Sequence, residues 1–285
     1  MPREAEFSAD GLDPIHDRPQ HAPAKPGESM KTIIFMHLHR TGGTTFTRLL
    51  DRFYGPKETY AIDGRHFQDS VKEFIGLPEE QRKKYRLIKG HLFWGLHRHL
   101  LHHATYLTFL RQPLERAVSQ YQFHLHPRCL YPIPPDMTLR EFLESGIFIS
   151  SDNGMTRFVA GKDREEVQYG KCTRDMLELA KFNLRRDFLA VGITECFDES
   201  LLLFKRLLNW RQDPLYQRLN VNRKKPARFI LGKEDERVLR HYNRYDLELY
   251  DFARAWFEER IRQEGQDFQR EVTRFRRANV SSSLT

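Results

Sequence analysis

The sequence predicts an α/β fold: a parallel β-sheet of about four to five strands with helices on both faces. Three observations carry that expectation. Short apolar runs rich in β-branched and aromatic residues, at Thr32–Met36, Tyr85–Lys89, Tyr106–Leu110 and Phe188–Ile193, alternate with longer stretches of helical periodicity. The first run ends in a Gly-rich turn that opens a helix. The third ends in Arg111-Gln112-Pro113, and proline is favoured at the first helical position.

Residues 1–30 carry Pro, Gly, Ser and charges without periodicity, which predicts a disordered N-terminal arm. Thr32–Met36 then reads as a buried strand. His37-Leu38-His39-Arg40 and Thr41-Gly42-Gly43-Thr44-Thr45 follow, and Phe46, Leu49, Leu50 and Phe53 fall on one helix face. Tyr54–Arg65 reads as a loop, Phe67–Ile75 as a helix, and Leu77-Pro78-Glu79-Glu80 as the start of a short helical stretch. Tyr85–Lys89 is the second strand and runs into Gly90-His91.

After the third strand, Leu114, Ala117, Val118 and Tyr121 form a helical stripe that also carries Ser119. His126–Asp136 is a Pro-rich loop. Thr138 and Glu141 have capping-box spacing, and further helices are expected over Asp152–Ala160, Thr173–Arg186 and Phe197–Asn209. Asp213–Gly232 lacks periodicity and is basic around Asn222-Arg223-Lys224-Lys225-Pro226. Lys233 to Arg262 reads as one long helix, and residues 265–285 as a flexible polar tail. A single domain over residues 31–264 accounts for the whole pattern.

The Gly-rich turn suits an anion. The first N–H groups of a helix have no intrahelical partner, and the helix dipole makes that end positive. Gly42 and Gly43 allow close backbone approach, Thr44 and Thr45 offer hydroxyls and caps, and Arg40 adds a permanent charge. GxxxxGK[ST] is absent, because Thr44 rather than Lys follows Gly43. Arg111, at the end of the third strand, points to the same strand-end crevice where open α/β sheets bind ligands.

Composition narrows the classes. The 285 residues carry a net charge of +8, with 30% charged and 39% hydrophobic residues, and mean hydropathy is −0.67. That describes a soluble globular chain with a preference for anionic partners, compatible with peripheral contact at a membrane surface. No apolar run reaches the roughly 18 residues of a spanning helix. The N-terminus lacks a secretory h-region. Cys129, Cys172 and Cys196 form no CxxC pair, which fits a reducing cytoplasm. His97, His99, His102 and His103 cluster without a Cys or acidic residue at ligand spacing, so no metal is expected. A kinase would need a Walker Lys and a magnesium-binding Asp; a nucleic-acid binder would need a recognition motif; neither is present.

Together, HLHRTGGTTF and FLRQPLERAVSQY resemble the sulfotransferases that use 3′-phosphoadenosine 5′-phosphosulfate (PAPS). The likeness is to the carbohydrate branch, of heparan sulfate 2-O- and 6-O-sulfotransferase type, and its bacterial members. It extends through NGMTRFVAG and VGITECFDESLLLFKRLLNW. The resemblance implies a P-loop-NTPase-like sheet. It implies that Arg40, Thr41, Gly42, Gly43, Thr44 and Thr45 hold the 5′-phosphosulfate, and that Arg111 and Ser119 hold the 3′-phosphate. The VNRKKP loop, with Arg223 and Lys224, is similar to one that closes over the nucleotide. Gly90-His91 matches the family's catalytic His element. The family usually has Lys where this chain has Arg40.

The expected reaction moves a sulfuryl group from PAPS to an acceptor hydroxyl, without metal. His91 is the candidate general base, with His37 and His39, flanking the turn, as the alternatives. The resemblance favours a glycan acceptor; a small-molecule or lipid hydroxyl is the other class.

Overall fold

The computed structural model describes residues 32–127, 129–217 and 231–282. Five parallel strands form one sheet in the order β2-β3-β1-β4-β5. In chain order the elements are β1 (Thr32–Met36), α1 (Gly43–Phe53), β2 (Thr59–Ala61), α2 (Phe67–Gly76), α3 (Glu79–Arg82), β3 (Leu87–Gly90) and β4 (Ala104–Leu110). Then come α4 (Pro113–His124), α5 (Leu139–Glu144), α6 (Gly154–Ala160), α7 (Arg174–Asp187), β5 (Phe188–Ile193) and α8 (Phe197–Leu207). The chain closes with α9 (Lys233–Tyr242), α10 (Arg244–Gln263) and α11 (Gly265–Ser282). Every residue of β1 is buried, so both faces of the central strand are covered, which is why it reads as a continuous apolar run.

The α/β expectation holds, with helices flanking the parallel sheet. From β1 the chain runs to the edge strand β2, returns to β3 beside β1, then crosses to β4 and β5 on the other side. The strand order therefore reverses at β1 and β4, and a crevice opens beyond their carboxyl ends. Phe46 of α1 packs edge-on against Phe35 of β1 and Phe109 of β4, which fixes the helix start above that crevice. A second cluster joins Ala117 and Tyr121 of α4, Leu139, Phe142 and Leu143 of α5, and Leu239 of α9, with Ile133 from the Pro-rich loop.

Three expectations are corrected. Tyr54–Arg65 is not all loop: β2 pairs with β3, and at three residues it is too short to show a period. The long C-terminal helix is broken at Asn243, whose φ of −124° leaves the helical range. The tail from residue 265 is a helix, because Phe268, Val272 and Phe275 recur at i, i+4, i+7 and are buried against the main core. Arg223 and Lys224 lie outside the described residues.

The break at Asn243 serves a buried network. Asp246 accepts hydrogen bonds from the Thr156 amide (2.7 Å), the Thr156 hydroxyl (2.8 Å) and the Met155 amide (3.0 Å), so it caps the start of α6. Arg116 of α4 donates to it at 3.3 Å, and both side chains are essentially inaccessible. Asp246→Ala is expected to cost about 3–5 kcal/mol of stability, because it strands a buried guanidinium. Urea denaturation measures this; a loss below about 1 kcal/mol would mean that Arg116 finds another partner.

Candidate active site

The turn after β1 is built by its glycines. Gly42 is the N-cap of α1 with φ 83° and ψ 5°, a left-handed conformation that glycine adopts without a Cβ penalty. A Cβ added at Gly43 would overlap the His37 ring. The two glycines therefore do different jobs: one bends the chain, the other makes room for an imidazole. Thr44 and Thr45 lie inside the helix and do not cap it, a correction to their expected capping role. The N-cap has no side-chain cap and the first turn no acidic residue, so the leading amides are left for a ligand. Thr41 instead donates to the Leu38 carbonyl at 3.0 Å and holds the turn closed.

The second junction meets the first. Arg111, at the end of β4, donates from Nη1 to the Arg40 carbonyl at 3.3 Å. Arg40 in turn donates from Nε to the Ser119 hydroxyl at 3.1 Å, from one junction to the helix of the other. Ser119 thus faces Arg40, whereas Arg116 turns away into the core. Arg40 has no carboxylate partner among the described residues. Its pKa is lowered, by burial first and by the neighbouring Arg111 charge second. Glu115, 3.4 Å from Arg111 Nη2, offsets one of the two charges; the two guanidinium groups and the uncapped helix start still leave net positive charge that suits an anion.

Two residues that the motifs did not reveal hold the junctions together. The Thr194 hydroxyl, just past β5, lies 2.8 Å from the Thr41 carbonyl and 2.9 Å from the Leu110 carbonyl. Glu195 accepts from the Gln112 amide at 2.9 Å and from the Tyr250 hydroxyl at 3.0 Å. VGITE gave no signal for this, since the partners, three main-chain groups and the Tyr250 hydroxyl, are far away in sequence.

Facing the junctions is a column of imidazoles. His91 stacks on His37 at 4.4 Å and on His39 at 4.0 Å between ring centroids. His91 Nδ1 is 2.6 Å from the His37 carbonyl oxygen. A carbonyl only accepts, so Nδ1 carries the proton and the neutral ring presents a lone pair at Nε2. Burial lowers the His91 pKa, partly offset by that hydrogen bond. His37 and His39 are pushed further down, by burial first and then by charge on His91. The other histidine cluster has local roles: His97 pairs with the Tyr106 hydroxyl and His102 with the Thr32 hydroxyl.

His37, His39, Arg40, Gly42, Gly43, Thr44, Thr45, His91, Arg111 and Thr194 line one cavity of about 1360 Å3. Ser119 reaches it through Arg40. A family model described as galactose-3-O-sulfotransferase matches residues 12–283. The chain belongs to the galactose-3-O-sulfotransferase family. Galactose-3-O-sulfotransferase 3 of Bos taurus is 25% identical over 270 residues, covering 86% of this chain and 61% of the relative. Galactosylceramide sulfotransferase of Mus musculus is 25% identical over 299 residues, 94% of this chain and 66% of the relative. The chain spans about three fifths to two thirds of the length of these relatives. A mouse sulfotransferase solved with PAP aligns at 14% identity and a TM-score of 0.39, over 64% of this chain and 59% of that one.

The comparisons bear out the sulfotransferase reading of the motifs through the galactose-3-O-sulfotransferase family, and do not show the heparan sulfate type or its bacterial members. Both motifs sit on the charged half of the cavity. They carry no information about the Pro-rich loop and the segment after α5, which also line the cavity.

Proposed function

We propose that this chain is a PAPS-dependent sulfotransferase that transfers a sulfuryl group to a galactosyl hydroxyl, with His91 as general base. The observation that carries the reading is the convergence of Arg40, Arg111 and the uncapped start of α1 in front of the His91 column. Family membership supports the reaction class, and the relatives' names support galactose as the acceptor sugar.

PAPS is the donor substrate. The amides of Gly43 to Thr45, the Thr44 hydroxyl and Arg40 suit its 5′-phosphosulfate; Arg111 and Ser119 suit its 3′-phosphate. His91 Nε2 takes the proton of the acceptor hydroxyl as the oxygen attacks sulfur. The bond between sulfur and the 5′-phosphate oxygen breaks, and adenosine 3′,5′-bisphosphate leaves with the extra negative charge. Arg40 and the helix start stabilise that charge as it develops. The requirement is positioning and electrostatics, as in phosphoryl transfer.

The test is transfer of labelled sulfate from PAPS to methyl galactoside and to galactosylceramide. Product on either supports the reading; no product on any galactoside, with the nucleotide bound, overturns it. A separate outcome concerns Arg111. Arg111→Ala is expected to weaken adenosine 3′,5′-bisphosphate binding by about 10- to 100-fold, the loss of a charge-assisted hydrogen bond worth roughly 1.5–3 kcal/mol. Calorimetry reads it, and an unchanged affinity removes the 3′-phosphate role.

A further inference from the structure

The steps of the transfer leave one buried titratable side chain of the cavity unused. His124 is the last residue of α4, is 7% exposed, and lines the same cavity as His91 and Arg40. The Pro-rich loop folds back onto it. His124 Nδ1 lies 2.9 Å from the Tyr131 carbonyl oxygen and 3.5 Å from Cys129 Sγ. The Ile133 amide donates to the His124 carbonyl at 2.9 Å. The ring also stacks on Phe148, at 3.7 Å between centroids. Loop and stack together fix the imidazole in one orientation.

The tautomer sets what this ring can bind. A carbonyl only accepts, so Nδ1 carries the proton and Nε2 is left as a lone pair. Burial lowers the His124 pKa; the Tyr131 carbonyl raises it in part, and the Arg40 charge lowers it again. The ring is therefore neutral near pH 7. Among the described residues, no group partners Nε2. Phosphate and sulfate oxygens are acceptors too, so a lone pair suits neither end of the donor nucleotide. It suits a hydroxyl, which donates. Nearby polar groups are already engaged. Gln120 accepts from Arg116 at 3.3 Å and donates to Ser150 Oγ at 2.6 Å. The Tyr131 hydroxyl donates to the Arg65 carbonyl at 3.3 Å.

We infer that His124 is an acceptor-binding residue: its Nε2 accepts a hydrogen bond from a second hydroxyl of the acceptor sugar, one that is not sulfated. This rests on the sulfotransferase reading and adds to it that the acceptor is held as a polyol, not as an isolated alcohol. His91 and His124 each have their Nδ1 proton held by a main-chain carbonyl, which leaves both Nε2 atoms as acceptors. One takes the proton of the attacking hydroxyl; the other keeps its hydroxyl in place. A single contact would let the sugar turn about it, and a second fixes the ring for attack.

The experiment measures kcat/KM, with PAPS saturating, for methyl galactoside and for monodeoxy analogues that each lack one hydroxyl the parent enzyme does not sulfate. Two variants divide the imidazole. His124→Asn keeps an N–H near Nδ1 for the Tyr131 carbonyl and loses the acceptor; His124→Gln keeps an oxygen near Nε2 and loses that bond. In the parent, one deoxy analogue is expected to lose about tenfold or more, because Nε2 is left unpaired. His124→Asn should lose a similar factor on methyl galactoside, with no further loss on that analogue. His124→Gln should stay within about threefold of the parent. Adenosine 3′,5′-bisphosphate affinity should be unchanged in both. The inference is overturned if the parent turns over every monodeoxy analogue as well as methyl galactoside, or if the deoxy loss is as large in His124→Asn as in the parent. Full activity in His124→Asn with loss in His124→Gln also overturns it, since the ring then serves only the Tyr131 carbonyl. The sulfotransferase reading stands in all three cases. No transfer to methyl galactoside by the parent, with the nucleotide bound, overturns that reading and the inference with it.

Discussion

His91→Ala is expected to lower sulfuryl transfer by about 10²- to 10⁴-fold, the usual worth of a general base, with adenosine 3′,5′-bisphosphate affinity nearly unchanged. The split follows from the geometry. His91 stands on the β3 end, held by the His37 carbonyl and two stacked rings, while the anion groups come from the β1 and β4 junctions. Removing the imidazole takes away the proton acceptor without touching the positive cluster. The pH dependence adds a second check. A base works only when deprotonated, and burial lowers the His91 pKa, so the acid limb of kcat/KM should lie below the ordinary His value of about 6.5. Activity should rise with pH through that limb and be flat near neutrality. His91→Ala turning over within about threefold of the parent would shift the base to His39 or His37.

The parts of the site that were legible in the sequence share one property: the local chain dictates them. A strand, two glycines and a helix stripe leave few options for where Gly42 and Gly43 sit. Pro113 marks the start of α4, and so places Arg111 at a strand end. Thr138 and Glu141 form the capping box that their spacing predicts. What stayed hidden depends on distant contacts. Thr194 bridges chain segments 153 and 84 residues away, and nothing beside it in sequence announces either. The break at Asn243 was invisible for a related reason. The apolar stripe continues through it, and the cause, a buried Asn243–Arg116–Asp246 network, is tertiary. The tail was different. Its stripe of Phe268, Val272 and Phe275 was present in the sequence, and only the surrounding charge concealed it.

Arg40→Ala is expected to reduce turnover by about 10²- to 10³-fold, the loss typical of a donor aimed at a developing oxyanion. Stability should move the other way or stay level. Arg40 is half-buried beside Arg111, and no carboxylate among the described residues neutralises it. What it gains in the free protein is one hydrogen bond to Ser119 and a contact with the Phe123 ring. A structural arginine would be paired, as Arg116 is with Asp246, and its loss would lower the unfolding midpoint. Arg40→Lys separates charge from shape. Lysine keeps the positive charge, but its single nitrogen cannot serve Ser119 and an anion with a planar fork. Turnover within about tenfold of the parent is expected for Arg40→Lys, with weaker nucleotide binding. If Arg40→Ala instead unfolds early and keeps its turnover per folded molecule, the guanidinium is holding the two junctions together and the leaving group is stabilised by the α1 amides alone.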